Sequence, residues 1–341
     1  RGAEVSAAGS APQHSSIDMK KVLVTGAAGF IASRVTLQLL DQGVEVVAID
    51  NFNDAYDARL KEHRMTWLEG KDGLTFVKGD IEDKALVDRL FDEHDFDVVF
   101  NLAARAGVRY SLENPDVYFS TNVDGTRHLL QAMRFHDVKK IILASTSSLY
   151  AGLPMPFTED KPVDRPLSPY AASKKAAEVL AYTYHHLFGL DVSILRYFTV
   201  YGPAGRPDMA PFRFIRWIDE GTEIEMFGDG SQARDFTYVD DIARGTILAA
   251  KPLGYEIINL GGGKRPTSLM QLIDAMEQRL GKKATIDHKP FHSADMMETW
   301  ADISKAKELL DWEPTIELDE GLEKTIEWYQ ENKDLAQALV I

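Results

Sequence analysis

Residues 21–33 read KVLVTGAAGFIAS. The apolar run KVLVTG has the length and composition of a short buried strand. FIASRVTLQLLDQG, from Phe30, carries a helical apolar pattern that stops at Gly43. Between them lies Gly26-x-x-Gly29-x-x-Ala32. Glycine there lets the backbone turn tightly and approach a pyrophosphate, and the helix N-terminus adds partial positive charge. The spacing alone is weak, because GKDG at Gly70 and GPAG at Gly202 share it. Only the first copy lies between a strand and a helix, and a plain strand-to-helix turn remains the competing reading.

Outward from this loop the rhythm repeats. VEVVAID is a second strand, and LTFVKGD, DVVFNLA and KKIILAST read as three more. DKALVDRLFDEH and DVYFSTNVDGTRHLLQAMRFH are helical stretches between them. Short apolar runs separated by helices predict βαβ units, hence a parallel sheet with helices on both faces and ligands at the strands' C-terminal ends. The expected fold is α/β, a Rossmann-type doubly wound parallel sheet with a smaller α/β substrate-binding lobe. After about Leu190 the pattern changes. DVSILRYFTVYG is expected to be one further strand, followed by a Pro/Gly-rich loop and a helix. IEMFGDGSQARDF is expected to form a hairpin, and helices are expected near Asp240, Ser268 and Lys305. We therefore divide the chain into a polar extension at 1–18, a Rossmann-type domain at 19–190 with later segments crossing into it, and a second, mainly substrate-binding lobe at 191–341.

Asp50 ends the second strand, 24 positions after Gly26. A carboxylate there can accept hydrogen bonds from the ribose hydroxyls of NAD and would repel the 2′-phosphate of NADP. Aspartate at a strand end is also a common turn residue. Asp80 and Ile81, after the third strand, are candidates to flank the adenine.

Composition narrows the class. The chain has 341 residues, 45% hydrophobic and 27% charged, as ordinary globular proteins do. A net charge of −15 argues against nucleic acid, which needs a basic face. There are no cysteines, so neither disulfides nor thiolate chemistry enter, and a reducing cytoplasm is the expected location. No apolar run approaches the roughly 20 residues of a membrane span. RGAEVSAAGSAPQHSSID at the start lacks the apolar stretch of a signal peptide and is read as a mobile extension outside the fold.

SPYAASKK at Ser168–Lys175 places Tyr170 four residues before Lys174, so on a helix the two are neighbours. Spacing cannot decide whether they react. YQENK at Tyr329–Lys333 has the same spacing in a charged C-terminal helix, and there we read it as chance.

The set as a whole resembles the extended short-chain dehydrogenase/reductase family in its nucleotide-sugar-modifying branch. The matching stretches are TGAAGFI, NLAA at Asn101, STSSLY at Ser145, YAASK at Tyr170 and RDFTYVDDI at Arg234, in the family's order across nearly all of Lys20 to Tyr329. The resemblance implies that Tyr170 is the acid/base, Lys174 its partner and Thr146 the assisting hydroxyl. It implies NAD as cofactor, with contacts at Gly26, Gly29, Phe30, Ile31, Asp50, Asn51, Asp80, Ile81, Leu102, Ala103 and Ala104, and no metal. The residue types suit the chemistry. A free tyrosine has a pKa near 10, and a neighbouring ammonium favours its phenolate.

ARAGVRYSLENP from Ala104 and TVYGPAGRPDMA from Thr199 extend the resemblance to the family's UDP-uronate 4-epimerising members. They imply 4-epimerisation of UDP-glucuronate to UDP-galacturonate through a transient 4-keto sugar. Related dehydratases carry Asp-Glu after the catalytic threonine, and related decarboxylases carry Glu at the second place; here Ser147 and Ser148 stand there. The substrate carboxylate would fall to Arg206, Thr199, Ser147 and Ser148, with Arg109 a further candidate; Arg234 and Asp295 would hold the diphosphate and uridine ribose. The chain departs from the pattern at Ala32 (usually Gly), Ala204 (usually Trp) and FHSAD at Phe291 (usually Met-Gln-Pro-Gly-Asp). Three rival readings stand: a UDP-glucose/UDP-galactose-type epimerase, a decarboxylase or dehydratase, and a silent NAD-binding scaffold. The resemblance also implies a homodimer paired through the helices after Asn114 and Ser168, with Leu129, Met133, Val179 and Leu180 as its apolar face.

Overall fold

The computed structural model describes residues 19–291 and 296–341. The N-terminal extension and Asp295 lie outside the described residues. In chain order, β1 (Lys21–Thr25), α1 (Phe30–Asp41), β2 (Glu45–Asp50), α2 (Ala58–Thr66), β3 (Leu74–Lys78), α3 (Lys84–Glu93) and β4 (Val98–Asn101) alternate as expected. α4 (Val108–Glu113), α5 (Asp116–Phe119), a π-helical turn at Ser120–Gly125 and α6 (Thr126–Phe135) lead to β5 (Lys140–Thr146). α7 (Pro169–Phe188) and β6 (Asp191–Tyr197) follow. The remainder comprises β7 (Thr199–Tyr201), α8 (Ala210–Glu220), β8 (Ile224–Phe227), β9 (Ala233–Arg234), β10 (Phe236–Tyr238), α9 (Val239–Leu248), β11 (Tyr255–Leu260), β12 (Thr267–Ser268), α10 (Leu269–Leu280), β13 (Ile286–Lys289), α11 (Ser304–Leu310), α12 (Leu318–Glu331) and α13 (Lys333–Ala338).

Seven strands form one parallel sheet in the order β11-β6-β5-β4-β1-β2-β3. Alternate side chains of the same strand enter different cores. Val22, Val24, Val46 and Ala48 point into one, and Leu23, Val47 and Ile49 into the other. A strand buried on both faces must be apolar throughout, which is why these strands read as continuous hydrophobic runs. A third core, built from Phe212, Ile215, Ile224, Leu272, Ile326 and Trp328 among others, belongs to the smaller lobe.

Two elements differ from the sequence reading. The single strand expected over 191–202 divides at Phe198: β6 stays in the main sheet, whereas β7 leaves it to pair in parallel with β10. The expected hairpin at 224–236 does not form. β8 pairs with β13 and β9 with β12, so partners distant in sequence replace the local turn. No described helix is long and apolar enough to cross a membrane.

Candidate active site

The strand order reverses between β1 and β4, and there the glycine loop meets the chain leaving β4. Gly26 has φ +70°, and a Cβ on it would sit 2.7 Å from the Ala103 Cα. A side chain is thus excluded twice, by conformation and by space. Thr25, at the end of β1, fixes this junction: its hydroxyl donates to Asn101 Oδ1 (2.8 Å) and accepts from the Leu102 and Ala103 amides (3.1 and 3.0 Å).

Asp50 is buried at the end of β2, where its carboxylate accepts from the Ala28 amide of the loop (3.0 Å) and from the Phe52 amide (2.8 Å). Two bonds leave acceptor capacity on a carboxylate. Asn51 donates to Asp80 (2.6 Å), and the Ile81 carbonyl lies 3.0 Å from His128 Nδ1, so this strand-end cluster is held as one unit. The amides of the loop can donate to a pyrophosphate and the Asp50 carboxylate can accept from ribose hydroxyls, so with Leu102 to Ala104 beside them they suit a dinucleotide with free ribose hydroxyls.

α7 delivers the central pair. Ser168 caps it by accepting from the Ala171 amide (3.1 Å), Pro169 opens it, and Gly189 closes it in the left-handed conformation. Its buried face carries Ser173, Lys174, Ala177, Glu178 and Ala181. Tyr170 lies beside Thr146, the last residue of β5. Burial pushes the Tyr170 pKa up, while the Thr146 hydroxyl and the Arg206 guanidinium pull it down. Lys174 is pulled down to about 8 by burial, against the raising influence of Glu178. A buried ammonium next to the tyrosine favours the phenolate.

The sequence reading missed the supports behind this pair. Asn122, inside the π-helical turn, accepts from the Arg105 amide (2.9 Å) and donates to the Arg105 carbonyl (3.0 Å) and to Ser173 Oγ (2.9 Å). Ser173 in turn donates to the Tyr170 carbonyl (2.8 Å). One turn beyond Lys174, Glu178 is fully buried and takes both arms of Arg196 (2.9 and 2.8 Å) and the Ser145 hydroxyl (2.6 Å). The partners of Asn122 and Glu178 lie 17 to 51 residues away in sequence, so no local pattern marks them.

The second lobe closes the site from the other side. Arg206 lies near Tyr170 and Gly107 and donates to Asp208 through Nε (3.0 Å) and Nη2 (2.6 Å). A guanidinium has five donors, so others remain for a second carboxylate. The Tyr118 ring meets Tyr170 edge-on at 5.9 Å. Arg109 sits over Phe227, 4.4 Å from its centroid, and Arg234 donates to the Ala233 carbonyl (2.9 Å). Thr199 starts β7, and Ser147 and Ser148 open the turn after Thr146, so hydroxyls rather than carboxyls follow Thr146.

A doubly wound parallel sheet that sets a Tyr–Lys pair on a helix beside a strand-end threonine defines a short-chain dehydrogenase/reductase fold. The match to known proteins is narrower: residues 22–261 fit the NAD dependent epimerase/dehydratase family, and the chain belongs to it. The sequence is 57% identical to a UDP-glucuronate 4-epimerase of Thermodesulfobacterium geofontis, over 94% of this chain and 99% of that protein. The fold superposes with a TM-score of 0.86 on a Bacillus cereus UDP-glucuronic acid 4-epimerase in complex with UDP-glucuronic acid and NAD, at 40% identity over 91% of this chain and 99% of the other. A Thermotoga maritima UDP-glucose 4-epimerase with UDP-glucose gives 0.82 at 32% identity, over 92% and 99%. The family resemblance and the fold class read from the sequence are borne out.

Proposed function

We propose that this protein interconverts UDP-glucuronate and UDP-galacturonate by epimerisation at carbon 4. The observation that carries the reading is the pairing of Arg206 beside Tyr170 with hydroxyls, not carboxyls, after Thr146. NAD, when bound, supplies a reversible acceptor for the hydrogen on carbon 4. The glycine loop and Leu102–Ala104 would hold it, with Asp50 at the adenosine ribose. Tyr170 takes the proton from the 4-hydroxyl and later returns it, Lys174 favours the phenolate, and Thr146 donates to the sugar oxygen.

A 4-keto uronic acid is a β-keto acid. It loses carbon dioxide when the breaking bond lies perpendicular to the carbonyl plane, because the electrons then enter the π system. An epimerase must hold the carboxylate away from that orientation. Arg206 can do so with a planar, bidentate fork, with Thr199, Ser147 and Ser148 as hydroxyl partners. The absence of a carboxyl at Ser147 and Ser148 withholds the proton donor that elimination or decarboxylation uses. Arg109 remains a further candidate for the carboxylate, and Arg234 is the cation we assign to the nucleotide end.

The UDP-glucose-type relative keeps a neutral-sugar reading in view, and Arg206 is what favours the uronate. Incubation with UDP-glucuronate should give UDP-galacturonate of unchanged mass. UDP-pentose as the main product would make the protein a decarboxylase, and turnover of UDP-glucose alone would make it a neutral-sugar epimerase. Arg206→Ala should lose a charge-assisted contact of about 1.5–3 kcal/mol and so raise KM for the uronate.

We also propose a homodimer in a cytoplasmic setting. Leu129 and Met133, expected at the dimer face, are instead fully buried in the monomer core, and Leu180 packs against it. Val179 is exposed, and so are Tyr182 and Leu187 on the same helix and Phe119 on α5, which leaves these as the apolar face available to a second copy.

A further inference from the structure

Arg64 has no part in the reading above, yet its side chain is fully buried between the two halves of the site. From α2, its Nη1 donates to the Ala28 carbonyl of the glycine loop (3.1 Å) and to the Tyr56 hydroxyl (2.5 Å). Nε and Nη2 both donate to the Ala204 carbonyl (3.0 and 2.8 Å). Ala204 stands two residues before Arg206 and is held at φ +51°, an unusual state for alanine. The ring of Tyr56 lies 5.3 Å from the Arg64 guanidinium carbon and 5.9 Å from that of Arg206. The next residue, Gly205, approaches the Phe30 ring at the start of α1.

These partners are two carbonyls and a phenol, all neutral. A buried guanidinium bonded only to neutral groups has no direct ion-pair partner, an unfavourable state that a nearby anion relieves. Lys61, buried on the same helix, adds a second cation on this side of the loop.

We infer that Arg64 is a positioning residue that fastens the glycine loop to the loop bearing Arg206, and that its charge favours the anionic diphosphate of the dinucleotide. The substrate-side half of this inference rests on the reading of Arg206 given above, whereas the cofactor-side half does not.

The test compares Arg64→Met, Arg64→Lys and Tyr56→Phe in the full chain. The readouts are the rise in melting temperature on adding NAD, its dependence on salt, and KM and kcat for UDP-glucuronate. Arg64→Met should weaken NAD binding ~10-fold or more and raise KM comparably, as loss of charge-assisted bonds does, with kcat within about threefold. Arg64→Lys should recover part of the NAD affinity, because it keeps the charge, but not KM, because it loses the fork. Tyr56→Phe removes one of the bonds at a partly exposed position and should give smaller changes of the same sign. An Arg64→Met protein that folds and keeps wild-type NAD stabilisation and KM overturns the inference. If that variant does not fold, wild-type values for Tyr56→Phe overturn it equally. Arg206→Ala without effect on KM, beside a weakened NAD response in Arg64→Met, leaves the tie to the glycine loop standing and strikes the Arg206 assignment instead.

Discussion

Two tyrosines in this chain stand four residues ahead of a lysine, and the fold treats the two pairs in opposite ways. Tyr170 and Lys174 share one helix, and Lys174 is buried with its nearest acid, Glu178, already bound by Arg196. Tyr329 lies near the end of α12 and Lys333 opens α13, and both converge on Asp219, at 3.1 and 2.7 Å. Lys282 joins them on the same carboxylate at 2.7 Å. Burial works against the charge of Asp219, yet the bonds from Lys282, Lys333 and Tyr329 hold its carboxyl below the ordinary range. The second pair is satisfied; in the first, burial leaves the lysine charge poised to titrate near neutrality. Groups that the fold leaves poised in this way are where chemistry concentrates.

The comparison can be broken most directly at Tyr170. Tyr170→Phe removes one oxygen and should lower turnover by about 10²–10⁴-fold, the usual loss for general acid/base catalysis, with NAD retained. The same activity from Tyr170→Phe as from Tyr329→Phe would erase the distinction.

Lys174→Met should also depress turnover, but it should make the fold more stable. The folded pKa of Lys174, about 8, lies below its unfolded value, so the unfolded state binds more protons between the two. Wild-type stability therefore rises as pH increases from about 8 to about 10, and below about 8 the burial cost is present in full. Near pH 7 the methionine variant should gain roughly 3 kcal/mol, an advantage that shrinks toward pH 10. Melting temperatures of both proteins across that range check it, and a destabilised variant at pH 7 contradicts it.

At the other pair the effects are smaller and of another kind. Tyr329→Phe should cost about 1 kcal/mol of stability by removing one hydrogen bond, with kcat unchanged. Lys333→Met, whose lysine is nearly half exposed, should change stability by no more than about 0.5 kcal/mol. Urea titrations with parallel activity measurements separate these outcomes from those at Tyr170 and Lys174.

The sequence carried what local chemistry determines. The apolar runs of β1, β2, β4 and β5, the glycines of the first turn and the cap at Ser168 state their structure within a few residues. What it hid depends on partners far along the chain. β7 leaves the main sheet because β10 pairs with it, and the expected hairpin yields to β12 and β13. Leu129 and Met133 looked like interface residues because an apolar helix face reads the same whether a core or a second copy covers it. Tyr329 looked incidental because Asp219 is 110 residues away. Arg64 was invisible because its ties to Ala28 and Ala204 are backbone carbonyls, which carry no residue signature.

The most direct test uses UDP-glucuronate carrying deuterium at carbon 4, in ordinary water, with the product analysed by mass and by position of label. Epimerisation through a transient 4-keto sugar predicts UDP-galacturonate of unchanged mass with deuterium still on carbon 4, since the hydrogen removed is the one restored. Washout of the label, or a product lighter by carbon dioxide, would contradict the account.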